Sequence, residues 1–154
     1  MILDGDLTVM PEDLPKFYDA IASGQGEYVN GSRLVYMLEE ESMPFLNILA
    51  NKFYALAFSW ILGQRIKDTL CGTKVLLKRD FERLLKDSRY FGELDPFGDF
   101  DIIFGAAKLA LKTVDLPIRY QPRAYGKPNL RRWRMGWRLL KMTAVAANRF
   151  KFRP

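Results

Sequence analysis

Apolar residues in this chain recur at two different spacings, and the switch from one to the other lays out its elements. Met1-Ile2-Leu3 is a short apolar run that stops at Asp4-Gly5-Asp6, as a strand does when a turn ends it. Pro11-Glu12-Asp13-Leu14 then opens a helix over 11–22, with Leu14, Phe17, Tyr18 and Ile21 on one face. Ser23-Gly24-Gln25-Gly26 closes it. Residues 28–33 read as a second strand turning at Gly31, and Glu39-Glu40-Glu41 as a solvated loop. The longest apolar segment covers 43–62 and is predicted to be a helix, with Asn47, Asn51 and Lys52 as its polar interruptions. It reads either as a core helix or as one lying in a membrane interface, where Trp and Phe are at home. After Gly63 come a loop, a strand over 75–77 and a short helix over 78–85. A helix starting at Asp99 and reaching about Leu111 follows, then a strand over 114–120. Pro117 marks that strand as an edge or a strand start. The closing helix is expected over 130–150, with Trp133, Trp137, Leu140, Met142, Val145 and Ala146 on its apolar side.

Composition narrows the chemistry. The chain has 154 residues, 49% hydrophobic and 27% charged, which suits one domain with a real core. A single cysteine, Cys71, excludes an internal disulfide and fits a reducing compartment. Histidine is absent, which removes the usual general base, the Ser-His nucleophile pair and the common zinc ligand sets. Acid–base work must then fall to carboxylates, Lys or Tyr, and any metal should be a hard cation on oxygen ligands, Mg²⁺ or Mn²⁺ in type. No apolar run reaches the roughly 18 residues of a membrane span, and Asp4 and Asp6 interrupt the opening run, so no cleavable signal is read there.

The net charge of +6 is unevenly spread. From Arg119 onward the chain has eleven basic residues and no Asp or Glu. A one-signed tail of this kind points to phosphate, nucleic acid or an anionic membrane surface. Basic residues beside Trp on an amphipathic helix favour the membrane surface, and a helix packed on the domain with its Arg reaching a site fits as well. Nucleic acid fits poorly, since no nucleic-acid motif is present and the acids of the candidate site would repel a phosphate backbone.

Four stretches carry candidate chemistry. Asp4-Gly5-Asp6 sits just past a strand end, where open α/β sheets bind ligands, and its two acids could share one cation; a plain turn is the alternative. Arg33 falls near a strand end, within reach of a phosphate or of a surface ion pair. Asp68-Thr69-Leu70-Cys71-Gly72-Thr73-Lys74 combines charged and hydroxyl groups around a Gly that lets backbone approach a ligand. Asp95-Pro96-Phe97-Gly98-Asp99-Phe100-Asp101 presents three carboxylates at the mouth of a helix. Asp99 and Asp101 suit an N-cap there, and equally a catalytic site if partners converge.

In this order, strand–Asp-x-Asp, Gly31-Ser32-Arg33, Asp68-Thr69 to Gly72-Thr73-Lys74, Gly98-Asp99-Phe100-Asp101 and a closing Arg/Trp helix resemble a family 2 glycosyltransferase of the GT-A fold. The branch most similar is that of the dolichyl- and polyprenyl-phosphate hexosyltransferases. The resemblance covers nearly the whole chain and implies an α/β fold: a partial GT-A, Rossmann-like mixed sheet flanked by helices. The family's N-terminal nucleotide-binding half has no counterpart here, so 1–154 corresponds to the metal- and acceptor-side part. By resemblance Asp4 and Asp6 would hold Mg²⁺ or Mn²⁺ and the donor's diphosphate, and Arg33, Arg131 and Arg132 would face phosphates. Asp99 would be the general base, supported by Asp101. Asp68, Thr69, Gly72, Thr73, Lys74 and Trp133 would shape the sugar or acceptor pocket. The implied partners are a UDP- or GDP-linked sugar, a lipid-phosphate or other membrane acceptor and an anionic membrane surface, with no nucleic acid. The implied location is the cytoplasmic face of a membrane, in cell-envelope glycan synthesis. Asn129-Leu130-Arg131-Arg132-Trp133 lacks the Gln-x-x-Arg-Trp form of processive members, which argues against a polymer-making synthase. The competing expectation is a non-catalytic module that binds a membrane surface or a partner.

Overall fold

The computed structural model describes residues 1–3, 8–33, 45–87, 91, 95, 98–119 and 132–152, and among these not the side chains of 45, 47 and 132–135. A single 3₁₀ turn, Pro11–Asp13, leads into α1, Leu14–Ala22. Then follow β1, Tyr28–Ser32; α2, Phe45–Leu62; β2, Lys74–Leu76; α3, Lys78–Asp87; α4, Asp99–Lys108; β3, Thr113–Pro117; and α5, Arg132–Ala147. A π-helical turn, Asn148–Phe152, ends the described chain.

The three strands form one mixed sheet in the order β2-β1-β3. β1 runs antiparallel to β2 and parallel to β3. The parallel step from β1 to β3 needs a long crossover, and α2, α3 and α4 lie within it. β1 is buried along its whole length, as a central strand with both faces covered must be. The expected first strand is reduced to one antiparallel bridge, in which Ile2 and Lys74 exchange backbone hydrogen bonds of 2.8 and 3.1 Å.

Alternation along β1 divides the sheet into two faces. Val29, with Val75 and Cys71, packs under Phe17 and Ala20 of α1. Tyr28 faces the larger core, where Tyr54, Phe58 and Ile61 of α2 meet Phe100, Ile103 and Phe104 of α4 and Leu139, Met142 and Ala146 of α5. The Phe58 ring stands edge-on to both Phe100 and Phe104, with centroids 5.5 and 5.0 Å away. Such crossed rings fill the space between helices without leaving gaps.

Several expected details are corrected. Gly31 does not turn the strand; it continues it. A Cβ there would lie 2.8 Å from Cys71 Sγ and 3.2 Å from Thr73 Cβ, so glycine is required for the close approach of the 71–73 loop. Tyr18 points outward at 65% exposure, because the buried line of α1 runs through Phe17 and Ala20. Trp137 and Leu140 are exposed, since the core side of α5 is Leu139, Met142 and Ala146. α4 stops at Lys108, where Ala110 takes a positive φ of 53° and turns the chain toward β3.

Candidate functional site

The register fixes the centre of the site. Lys74 of β2 lies opposite Asn30 of β1, which lies opposite Asp115 of β3. Residues opposite one another point to the same face. A polar row therefore crosses the sheet on its larger-core side. The Asn30 amide donates to Asp115 Oδ1 at 2.9 Å and to the Asp68 carbonyl at 2.8 Å, joining the row to the 68–74 loop. Asp115 Oδ2 accepts the Lys67 N–H at 3.0 Å. Burial nonetheless holds the Asp115 carboxyl above its ordinary pKa, against the opposing pull of these two hydrogen bonds.

The Lys74 side chain is wholly buried, and its ammonium donates to Asp99 Oδ1 at 2.7 Å and to the Cys71 carbonyl. Asp99 keeps 26% of its side chain exposed, so the pair joins a buried cation to a solvent-reachable carboxylate. Asp99 is available because another residue caps the helix. Gly98 takes a left-handed φ of +75° before α4 and makes no side-chain cap. Asp95 reaches over it and accepts the N–H groups of Phe100 and Asp101 at 2.8 and 2.9 Å. Burial raises the Asp95 pKa; those two N–H groups lower it, and the nearby carboxylates of Asp101 and Asp99 add to the rise. Asp101 is engaged elsewhere, accepting the Phe91 N–H at 3.0 Å.

Beside this pair lies a second buried ion pair. Asp68 accepts Arg33 Nε at 2.7 Å, Arg33 Nη2 at 2.9 Å and the Arg33 backbone N–H at 3.1 Å. It also accepts the Asn51 amide at 2.7 Å and the Leu70 N–H at 3.0 Å. Burial alone would raise its pKa, but the Arg33 hydrogen bonds and charge and the Asn51 amide prevail and hold it below the ordinary value. The Asn51 carbonyl oxygen in turn accepts the N–H and hydroxyl of Thr69, both at 3.2 Å. Cys71 is buried, and burial first, then Asp68, push its thiol up to about 11.

Four buried polar atoms have no hydrogen-bond partner among the described residues: Tyr28 Oη, Asn30 Oδ1, Ser32 Oγ and Thr73 Oγ1. Buried polar groups rarely stay unpaired, so these atoms mark where water or a ligand belongs; Tyr28, Asn30 and Ser32 alternate onto the face of the polar row, whereas Thr73, opposite Gly31, lies toward the other face. The Tyr28 hydroxyl is held well above its ordinary pKa, by burial and then by the charges of Asp99 and Asp115.

The fold thus joins Lys74 to Asp99 and Arg33 to Asp68, with Thr69 linked to Asp68 through Asn51. It sets Asp101 apart, and it buries Gly72 and Thr73 in the loop against Gly31. Asp4, Asp6 and Arg131 lie outside the described residues, as do the side chains of Arg132 and Trp133. Among the described residues no group of three or more His, Cys, Asp or Glu converges as a metal site requires. Sequence reading missed Asn30, Asn51, Asp115 and the capping role of Asp95. For Asn30 and Asp115 a signal existed, a polar residue at an alternate position inside an apolar strand. For Asn51 and Asp95 none did, because their partners are distant in the chain or in the backbone.

Comparison with known proteins gives this arrangement a context. No family model matches the chain, and no solved structure matches it either. The glycosyltransferase AglJ of Haloferax volcanii is 30% identical over 126 residues, covering 82% of this chain and 39% of AglJ. The low-salt glycan biosynthesis hexosyltransferase Agl6 of the same organism is 30% identical over 154 residues, 97% of this chain and 35% of Agl6. The chain therefore spans a little over a third of the length of the curated relatives it matches, and both relatives are glycosyltransferases.

Proposed function

We propose that this chain forms the metal- and acceptor-side part of an inverting family 2 glycosyltransferase. It moves a hexose from a UDP- or GDP-linked sugar to a polyprenyl phosphate or another membrane-associated acceptor, at the cytoplasmic face of a membrane. The observation that carries this reading is the Lys74–Asp99 pair. A partly exposed carboxylate, freed from capping by Asp95, is fixed by a buried ammonium at 2.7 Å, on the sheet face where Tyr28, Asn30 and Ser32 carry unpaired polar atoms.

In this reading Asp99 takes the proton of a hydroxyl acceptor as that oxygen attacks the anomeric carbon and the diphosphate leaves. Lys74 holds the carboxylate in place and balances its charge. A lipid-phosphate acceptor arrives already as an anion; base catalysis then matters less, and the cations of Arg131 and Arg132 matter more. Arg33 serves from behind, because two of its guanidinium nitrogens are engaged by Asp68. Asp4 and Asp6 are the proposed ligands of Mg²⁺ or Mn²⁺, which would supply charge neutralisation to the leaving diphosphate. Ile2, two residues before Asp4 in the sequence, is bridged to Lys74, which supports this reading.

The test uses the full-length enzyme with a radiolabelled nucleotide sugar. Asp99→Asn is expected to lower kcat by about a hundredfold or more while the circular dichroism spectrum stays unchanged. Normal turnover would reduce Asp99 to a structural partner of Lys74. Mn²⁺-dependent binding of UDP or GDP, lost in Asp6→Ala, checks the metal assignment in the same preparation. The second reading, a membrane-surface module without turnover, is favoured by the basic, Trp-bearing tail and the exposed apolar side of α2.

A further inference from the structure

Asp115 takes no part in the reaction as proposed, yet it meets two donors at once. Its Oδ1 accepts the Asn30 amide at 2.9 Å, and its Oδ2 accepts the Lys67 N–H at 3.0 Å. The same Asn30 nitrogen also donates to the Asp68 carbonyl at 2.8 Å. Both partners of that nitrogen are acceptors, so flipping the amide would set oxygen against oxygen twice. A carboxylate suits position 115 because it offers two acceptor oxygens. An asparagine there would offer one, and would turn its own NH₂ against either Lys67 or Asn30. Burial works against the charge of Asp115, and the two donors partly offset it.

These donors hold the start of the loop whose end is Lys74. Lys67 is tied to Asp115 through its N–H, Asp68 to Asn30 through its carbonyl, and Lys74 to Asn30 by strand pairing. Near the end of this arc the Thr73 carbonyl accepts the Gly31 N–H at 2.9 Å. The Lys74 ammonium has two acceptors, Asp99 Oδ1 and the Cys71 carbonyl in the middle of the arc. The place of that carbonyl therefore sets where the ammonium stands, and so where Asp99 is held. The Asp68 side chain is anchored separately, by Arg33 and Asn51. Those bonds fix a carboxylate, whereas the bonds to Asp115 and Asn30 fix the main chain at the root of the arc.

We propose that Asp115 is a positioning residue: through Asn30 and the Lys67 N–H it sets the path of the 67–74 loop, and with it the Lys74 ammonium against Asp99. Its effect on turnover rests on the transferase reading, whereas its hold on the loop does not. A displacement of about 1 Å at a reacting group can cost about a hundredfold in rate. The loss should fall on kcat and spare KM, because the loop places the base and not the bulk of either substrate.

The experiment compares Asp115→Asn with Val114→Ala in the full-length enzyme. Val114 is the preceding residue of β3, paired with Val29 on the opposite face, and controls for a weakened strand. Asp115→Asn is expected to lower kcat by about tenfold or more, with KM for both substrates within about twofold of wild type. Its Lys67, Thr69 and Leu70 amides should exchange faster in the absence of substrate, while that of Val29 does not. Val114→Ala should keep its kcat even where its melting temperature falls as far. If Asp115→Asn melts too early to assay, Asn30→Ala breaks the same link from β1 and is scored by the same two readouts. The proposal is overturned if a folded Asp115→Asn variant keeps wild-type kcat while Asp99→Asn loses it, or if the loop amides exchange as in wild type. It is also overturned if Val114→Ala loses kcat in step with its stability, since Asp115 then acts only by holding β3. Should Asp99→Asn turn over normally, the transferase reading fails instead, and loop exchange alone decides the role of Asp115.

Discussion

Asp68 accepts five hydrogen bonds from three residues, two of them through a forked Arg33 guanidinium. Breaking one partner of such a buried pair leaves a charge with no compensation, which costs about 3–5 kcal/mol. Asp68→Asn is therefore expected to lower stability by that order at neutral pH, measured by urea unfolding. The pH dependence has a definite sign. A carboxyl whose folded pKa lies below its unfolded value contributes stability above the ordinary carboxylate pKa of about 4 and loses it as pH falls through the folded value. The wild type should thus lose stability in acid, and Asp68→Asn should show a flatter acid limb. Asp95 and Asp115, both raised by burial, act in the opposite sense and weaken the fold as pH rises through the carboxylate range. At this scale the sequence made charged candidates visible but not their pairings. Arg33 as a partner for an anion was legible; that the anion is Asp68, from across a thirty-five-residue separation, was decided by the fold.

At the scale of elements, two local devices hold the candidate base. Asp95 caps α4 from three residues before its N-cap, so Asp95→Ala should cost about 1 kcal/mol and fray the turn bearing Asp99. Thermal unfolding would register the first effect, and amide exchange at Phe100 and Asp101 the second. Gly31→Ala tests the other device. The added methyl meets Cys71 Sγ at 2.8 Å and the Thr73 backbone carbonyl at 3.3 Å, and the expected loss is about 1–3 kcal/mol. The loop that carries Lys74 should shift with it. Periodicity revealed the existence and type of α1, α2, α3, α4 and α5, because a helix buries a stripe whose spacing is intrinsic to its geometry. It misassigned Tyr18, Trp137 and Leu140, since an apolar residue one step off the true stripe has the same hydropathy as one on it. Only the neighbours distinguish the two.

For the whole molecule, the sheet divides the chain into a small core under α1 and a larger one beneath α2, α4 and α5. β1 is the strand with a partner on each side, and the Ile2 bridge adds only one residue at the β2 edge. Native-state hydrogen exchange should therefore find Val29 and Gly31 among the slowest amides and Ile2 among the first to open. Equal protection across Ile2 and β1 would mean that the bridge belongs to the cooperative unit. The exposed stripe of α2 is a property of this scale as well. The sequence left residues 43–62 open between a core helix and an interfacial one, and the tertiary structure buries one side of the helix in the larger core and leaves the other exposed.

What the sequence by itself determined is whatever depends on neighbours along the chain: helix and strand periods, the absence of histidine, a basic tail without acids, and the loops in which Asp, Lys and Thr cluster. The tertiary structure decided whatever depends on register and packing. One strand pairing aligned Lys74, Asn30 and Asp115 in a row, and one cap taken by Asp95 released Asp99 to meet Lys74. The physical reason is that a side chain's type is local, while its partner, its burial and therefore its charge state are set by residues that the fold brings from elsewhere.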